Sequence, residues 1–362
     1  MCPNPSARYL GPMAHPLEHE LGALLATGLG RGLGSGVQLA VADAHGLIAS
    51  VAVGHRDHGG AAITSSTAFD LASLTKPVVA SAVLRLAARS EVDLSGPLTD
   101  TLPGPWPAGA RQASLAELLA HEAGFVPWHP LFNAVPIARR GTAEASAAVG
   151  RAAAELPPAA DPGGPARYSD LGFILLGQAL EARYGSLWDL VSREVLGPLS
   201  LPLTTAPGED VAATGRCAWS GRPLTGLVHD DNARAMGRLA GHAGLFGTAT
   251  TLARFGAAWL TVLDHDGWLP TALARLAVTR RPGGRGLGWD LKSAHASAAG
   301  EVASPETFGH LGFTGTSLWI DPRRGLAVAL VTNRVLDGDD DLRIREWRPR
   351  IHDRIWSLFA LE

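Results

Sequence analysis

Ser73 and Lys76 stand three residues apart in Phe69-Asp70-Leu71-Ala72-Ser73-Leu74-Thr75-Lys76-Pro77. A hydroxyl and an amine at that spacing can form a nucleophile with a proton acceptor, or a fixed cation, beside it. The choice of lysine is informative. Of 31 basic side chains only Lys76 and Lys292 are lysine; the rest are arginine. Arginine keeps its proton in proteins, whereas the pKa of a buried lysine can be tuned. With 21 serines and two lysines in the chain, chance yields roughly 0.1 Ser-x-x-Lys pairs. The plainer alternative is a solvated lysine on a helix.

Two further polar groupings follow in order, Tyr168-Ser169-Asp170 and His310-Leu311-Gly312-Phe313-Thr314-Gly315. Tyrosine is scarce too, with only Tyr9, Tyr168 and Tyr184 in the chain. His121, His229 and His242 match no zinc spacing, so structural roles are expected for them. Asp230, Asp231 and Asn232 read as residues that order a loop. Phe125 and Trp128 are candidates for a substrate pocket, with core packing as the alternative. Asn333 and Arg334 end a strand pattern and are candidates for substrate contact. Neither Cys2 nor Cys217 sits in a reactive or disulfide-framework motif.

The elements that must position these groups can be read from periodicity. Residues 17–33 carry helical spacing, and Val37–Ala42 and Leu47–Val53 read as a hairpin around Asp43-Ala44-His45-Gly46. Proline is tolerated in the first helical turn and not in the interior. Pro77 therefore places the start of the next helix at Ser73, with Lys76 on the same face one turn on. Residues 93–284 are Ala/Leu-rich and helical, broken by Pro/Gly loops. Strands return at 286–291, at 315–322 where the His310–Gly315 grouping opens a strand ending in Asp321-Pro322, and at 326–332, before a final helix over about 341–360. This order predicts an α/β (α+β) fold. Residues 17–92 and 285–362 would form one α/β lobe, residues 93–284 a mostly helical lobe, and the active site would lie between them. Residues 1–16 read as a flexible tail, and either Met1 or Met13 can open the chain.

Composition excludes some classes. The chain has 362 residues, 46% hydrophobic and 18% charged, with a net charge of −3. That suits a globular protein and argues against nucleic acid or an anionic membrane as partner. No apolar run approaches a membrane-spanning length, and no signal pattern opens the chain, so a cytoplasmic location is expected.

Together the three groupings resemble the penicillin-recognising serine hydrolases: class C β-lactamases, D-Ala-D-Ala carboxypeptidases and β-lactamase-fold esterases. The patterns there are Ser-x-x-Lys, Tyr-x-Asn and Lys-Thr-Gly. The likeness runs from about residue 17 to 360 and includes Leu118-Leu-Ala-His-Glu-Ala-Gly-Phe125, Val228-His-Asp-Asp-Asn-Ala233, Gly241-His-Ala-Gly-Leu-Phe246 and Leu330-Val-Thr-Asn-Arg334. It implies a β-lactamase/transpeptidase-like fold, mainly antiparallel sheet flanked by helices, with a largely helical inserted lobe. It implies Ser73 as nucleophile, Lys76 and Tyr168 as the proton-transfer pair, and backbone N–H groups of Ser73 and Phe313 as oxyanion donors. No cofactor or metal is expected. Gly312 would allow close approach of substrate to its strand.

Two positions depart from the pattern. Asp170 replaces the asparagine; its carboxylate would hold Lys76 charged, so that Lys76 lowers the pKa of Tyr168 and Tyr168 serves as base. Alternatively Asp170 only caps the next helix. His310 replaces the lysine of the third pattern. A neutral histidine attracts carboxylates weakly, which favours a small neutral ester or amide as substrate, unless an arginine elsewhere supplies the charge. The expected function is thus a serine hydrolase acting through an acyl-Ser73 intermediate on a small-molecule ester, amide or peptide. A D-amino-acid peptidase or β-lactamase is the nearest alternative. A protein acylated but not turned over, a sensor, is the alternative from another class.

Overall fold

The computed structural model describes residues 14–360. Most of the expected tail lies outside these residues, but its last three, 14–16, already belong to the first helix, Ala14–Leu29.

A six-stranded sheet organises the molecule. Its strands are β1 (Gly36–Asp43), β2 (Gly46–Gly54), β5 (Asp290–Leu291), β6 (Phe308–Leu311), β7 (Ser317–Asp321) and β8 (Leu326–Thr332). They lie in the order β2-β1-β8-β7-β6-β5, every neighbouring pair antiparallel. Two short strands, β3 (Phe69–Asp70) and β4 (Phe246–Gly247), pair separately. The expected α/β (α+β) fold with a mainly antiparallel sheet is the fold observed.

Strands β1 and β8 are apolar along most of their length because both faces are covered, with buried Gln38 an exception in β1. Val37, Leu39, Val41, Val328 and Leu330 pack with the helices Ala14–Leu29 and Ile344–Leu358. The alternate positions Ala40, Ala42, Ala327 and Ala329 face the other core. There the helix Ala249–Asp264 crosses the sheet. The small side chains permit a close approach, and a Cβ on Gly256 would come within 2.5 Å of the Ala327 Cβ. This helix falls inside the stretch expected to be the helical lobe, yet it packs on the sheet.

Two strand expectations need correction. Of residues 286–291 only Asp290–Leu291 form a strand. Gly288 adopts φ +77, where a Cβ would run into the Ala80 side chain, a backbone that no strand continues. The strand expected at 315–322 is β7, but the grouping before it does not lead straight into it, because His310 sits near the end of a separate strand, β6. A turn follows, closed by the Gly312 N–H donating to the Thr316 carbonyl (2.8 Å), with Gly315 at φ +101, before β7 begins. That hairpin delivers Phe313 to its tip.

Candidate active site

Ser73 lies in a single 3-10 turn, Ala72–Leu74, and the α-helix proper starts at Thr75. The expected helix start was therefore early by one short turn. Ala72 sits at φ +48, which costs a non-glycine residue about 1 kcal/mol. The buried carboxylate of Asp70 holds it there by accepting from the Ala72 N–H at 2.8 Å. Ser73 keeps partial exposure in this turn while Lys76 is buried.

Lys76 has no exposed surface. Its ammonium makes three contacts, matching its three protons: Ser73 Oγ at 2.8 Å, Asp170 Oδ1 at 2.6 Å and the His242 carbonyl at 3.4 Å. Burial disfavours the charge, but Asp170 and Tyr168 outweigh it, so the Lys76 pKa stands above its ordinary value. Lys76 is thus a cation in the resting protein. Asp170 is the residue that holds the charge. The capping alternative fails, because Ser169 caps the helix Asp170–Tyr184 by accepting from the Gly172 N–H.

Tyr168 brings its ring within 4.8 Å of Lys76 Nζ and 4.6 Å of the His121 ring. Its pKa is raised: burial pushes it up by more than Lys76 pulls it down. This corrects part of the expectation. Lys76 acts in the anticipated direction, but Tyr168 rests as a neutral phenol. His121 supports it from behind. Its Nδ1 accepts from the Ser169 N–H at 3.1 Å, and its backbone is at φ +62.

His310 is buried, and its Nδ1 donates to the Leu311 carbonyl at 2.8 Å. A carbonyl only accepts, so in the neutral ring Nε2 is left as a bare acceptor; it has no partner among the described residues. Burial, then the charges of Arg285 and Lys76, hold its pKa well below 6.5. The absence of a cation at position 310 is therefore real in electrostatic terms.

Ser73, Tyr168, Asp170 and His310 line a cavity of about 730 Å³ that also includes Trp128, Arg285 and Arg334. Trp128 keeps its candidate place at the pocket. Phe125 does not line it; it is buried in the core against Gly172. Asn333 does not line it either. Its side chain ties β8 to the chain before β1, accepting from the Ser35 and Gly36 N–H groups (3.0 Å each) and donating to the Arg56 and Ala213 carbonyls. The Gly312 constraint comes from the protein itself, since a Cβ there would run into the Thr316 hydroxyl and meet the Leu71 carbonyl oxygen at 2.6 Å.

Arg285 was not anticipated. Its guanidinium lies 5.3 Å from the Tyr168 ring centre, its one ion pair is a long 3.6 Å contact to Asp290, and its Nε is buried without a partner among the described residues. The turn that carries it is pinned by buried Glu122, which accepts from Arg281 Nε and the Gly283 N–H at 2.8 Å each. Only the run Arg280-Arg281-Pro-Gly-Gly-Arg285 marked it in the sequence, and nothing local ties that run to Tyr168.

A serine hydroxyl in contact with a buried ammonium and beside a phenol, on this sheet, defines a serine hydrolase of the acyl-enzyme type. The chain belongs to the Beta-lactamase family, whose model matches residues 22–349. Among curated relatives, a Salmonella typhimurium protein named "Putative D-alanyl-D-alanine carboxypeptidase" is 27% identical over 312 residues, covering 75% of this chain and 70% of its own. Among solved structures, EstCE1, a hydrolase with promiscuous acyltransferase activity, superposes with a TM-score of 0.72 at 21% identity, covering 93% of this chain and 99% of its own. SurE superposes with a TM-score of 0.67 at 25% identity, covering 93% and 77%; a second structure holds it with D-Leu.

Proposed function

We propose that the enzyme hydrolyses a small ester or amide through an acyl-Ser73 intermediate, with Lys76 as a fixed cation and Tyr168 as the proton relay. The observation that carries this reading is the Lys76–Ser73 contact at 2.8 Å with Lys76 held charged by Asp170. An ammonium donating to Oγ leaves the serine proton free to point elsewhere and stabilises developing negative charge on the oxygen. Ser73 Oγ bonds to the carbonyl carbon. Its proton passes to the Tyr168 oxygen while the Tyr168 proton passes to the leaving group, whose bond to carbon then breaks. Water reverses the sequence and frees Ser73. A neutral phenol can relay a proton in this concerted way without first ionising, which accords with its raised pKa. The Phe313 N–H, which has no acceptor among the described residues, would join the Ser73 N–H in binding the oxyanion.

A second reading is favoured by Arg285. It supplies beside Tyr168 the positive charge that His310 lacks, and a guanidinium suits a carboxylate. With a relative named for D-alanyl-D-alanine and a neighbour solved with D-Leu, a short peptide of D-residues ending in a carboxylate is the substrate this arrangement would select. Parallel assays separate the readings: a nitrophenyl ester, a D-Ala-D-Ala peptide and a chromogenic cephalosporin, each with Ser73→Ala as control. Loss of all turnover in Ser73→Ala supports the nucleophile; unchanged turnover overturns it.

A further inference from the structure

His229 lines the cavity, outside the groups that exchange protons. Both of its ring nitrogens meet oxygens that only accept: Nδ1 reaches the Thr214 carbonyl at 2.8 Å and Nε2 reaches Asp339 Oδ1 at 3.0 Å. A neutral imidazole has one N–H and can satisfy one of these, so the geometry is that of an imidazolium.

The ring also stacks on Phe313, with centroids 5.8 Å apart and planes inclined by 26°. The Arg334 guanidinium lies 4.8 Å from the same Phe313 ring, and its Nε donates to the Phe313 carbonyl at 2.9 Å. Arg334 further donates to the carbonyls of Asp339 and Asp341. The hairpin tip that presents the Phe313 amide is thus bracketed by two cations. Both reach the 339–341 segment on the far side. The His229 backbone N–H donates to Asp70 Oδ2 at 2.6 Å, and Asp70 Oδ1 is the group that fixes Ala72 beside Ser73. The Asp70 carbonyl in turn accepts from Thr314 Oγ1 at 2.7 Å. One histidine therefore touches, directly or through Asp70, the nucleophile turn, the oxyanion hairpin and the 339–341 segment.

We propose that His229 is a positioning residue that works as a protonated clip: its imidazolium joins Asp339 to the wall under Phe313 and keeps the Phe313 amide in register with Ser73. The proposal rests on the acyl-Ser73 reading. The charged groups facing the ring are Asp339 and Arg334 from the segment after β8, Asp70 from β3, and Asp230 and Arg234 from its own stretch of chain; Arg234 donates to the His229 carbonyl. Burial opposes protonation, but Asp339, Asp70 and the Thr214 carbonyl exceed it and raise the His229 pKa above 6.5. The clip is accordingly complete below that pKa and opens as pH rises through it, when Nε2 turns its lone pair on the Asp339 carboxylate. The Asp339 side chain is 56% exposed and free to swing away.

The test uses the full chain. In protein labelled with ¹³C at histidine Cε1, the His229 resonance is assigned by its loss in His229→Gln. Its midpoint is expected above 6.5 in the wild type and about one unit lower in Asp339→Asn, a surface change that leaves the core intact. In parallel, kcat/KM for a nitrophenyl ester should fall by roughly tenfold through the same midpoint, mostly in kcat. The inflection should move to lower pH in Asp339→Asn and vanish in His229→Gln. A His229 midpoint at or below 6.5, or one unmoved by Asp339→Asn, overturns the clip. So does a pH profile whose inflection survives in His229→Gln. If the wild type neither turns over the ester nor becomes acylated at Ser73, the hydrolase reading fails instead, and the resonance titration still decides the state of His229.

Discussion

Lys76 and Asp170, 94 positions apart, meet at 2.6 Å with the lysine side chain wholly removed from solvent. Everything else in the site is arranged around that contact. It turns a residue that burial alone would push toward neutrality into a cation beside Ser73 and Tyr168.

Asp170→Asn should keep a hydrogen-bond acceptor but remove the charge. Burial would then act on Lys76 with less opposition, and the lysine pKa would fall. The sign follows directly: a raised lysine pKa supports the folded state through neutral pH and is lost only as pH rises through it. In Asp170→Asn the loss should begin nearer neutrality, with a stability decrease of about 1–3 kcal/mol at pH 7. Denaturant melts at pH 7 and pH 9 check this, and an unchanged pH dependence would remove Asp170 as the keeper of the charge.

Tyr168→Phe should retain the tilted ring contact with His121 while removing the relay oxygen. A fall in kcat of about 10²–10⁴ is expected for loss of a positioned proton-transfer group. Circular dichroism verifies the fold. Near-full activity would show that the proton travels by another route.

Arg285→Gln should discriminate between substrates. For a peptide ending in a carboxylate, kcat/KM should drop by roughly 10–100-fold, as expected for loss of a charge-assisted contact. For a neutral nitrophenyl ester the change should stay within about threefold. Equal losses on both would assign Arg285 to holding Tyr168 rather than to reading substrate.

Asn333→Ala should act on stability and not on substrate. Several buried backbone groups lose their partner at once, at about 1 kcal/mol each, so a total of about 3 kcal/mol is expected. A thermal melt measures this, with KM of the folded enzyme unchanged. A raised KM with normal stability would return Asn333 to the pocket.

His352, buried between Ser317 and Arg348, has its pKa pulled down to about 3, first by burial and then by the Arg348 charge. A depressed histidine stays neutral in the fold while the unfolded chain takes up a proton below about 6.5. Its contribution is present above that pH and is lost between about 6.5 and about 3, up to roughly 5 kcal/mol in all. His352→Gln should flatten the acid limb of the stability profile over that window; an unaltered limb would place the acid sensitivity elsewhere.

Much of this was legible in the chain. The rare lysine three residues after a serine, and the rare tyrosine two residues before a carboxylate, are local patterns, and local patterns survive in one dimension. The alternation of Val/Leu with Ala in β1 and β8 likewise records a sheet covered on both faces. Trp128 and Phe125 illustrate the limit. They are three residues apart in one loop and alike in chemistry, yet one faces the cavity and the other the core, because the loop's path past Gly172 decides it.

The sequence by itself determined the Ser73–Lys76 pairing, the α/β class, and the missing cation at position 310. Only the tertiary structure decided that Asp170 holds Lys76 charged, that burial keeps Tyr168 protonated, and that Arg285 stands over Tyr168 from 117 positions away along the chain. The reason is physical. Residue type and spacing set what a group can do, but its protonation state depends on the solvent it loses and the charges it gains, and both are supplied by segments that meet only when the chain is folded.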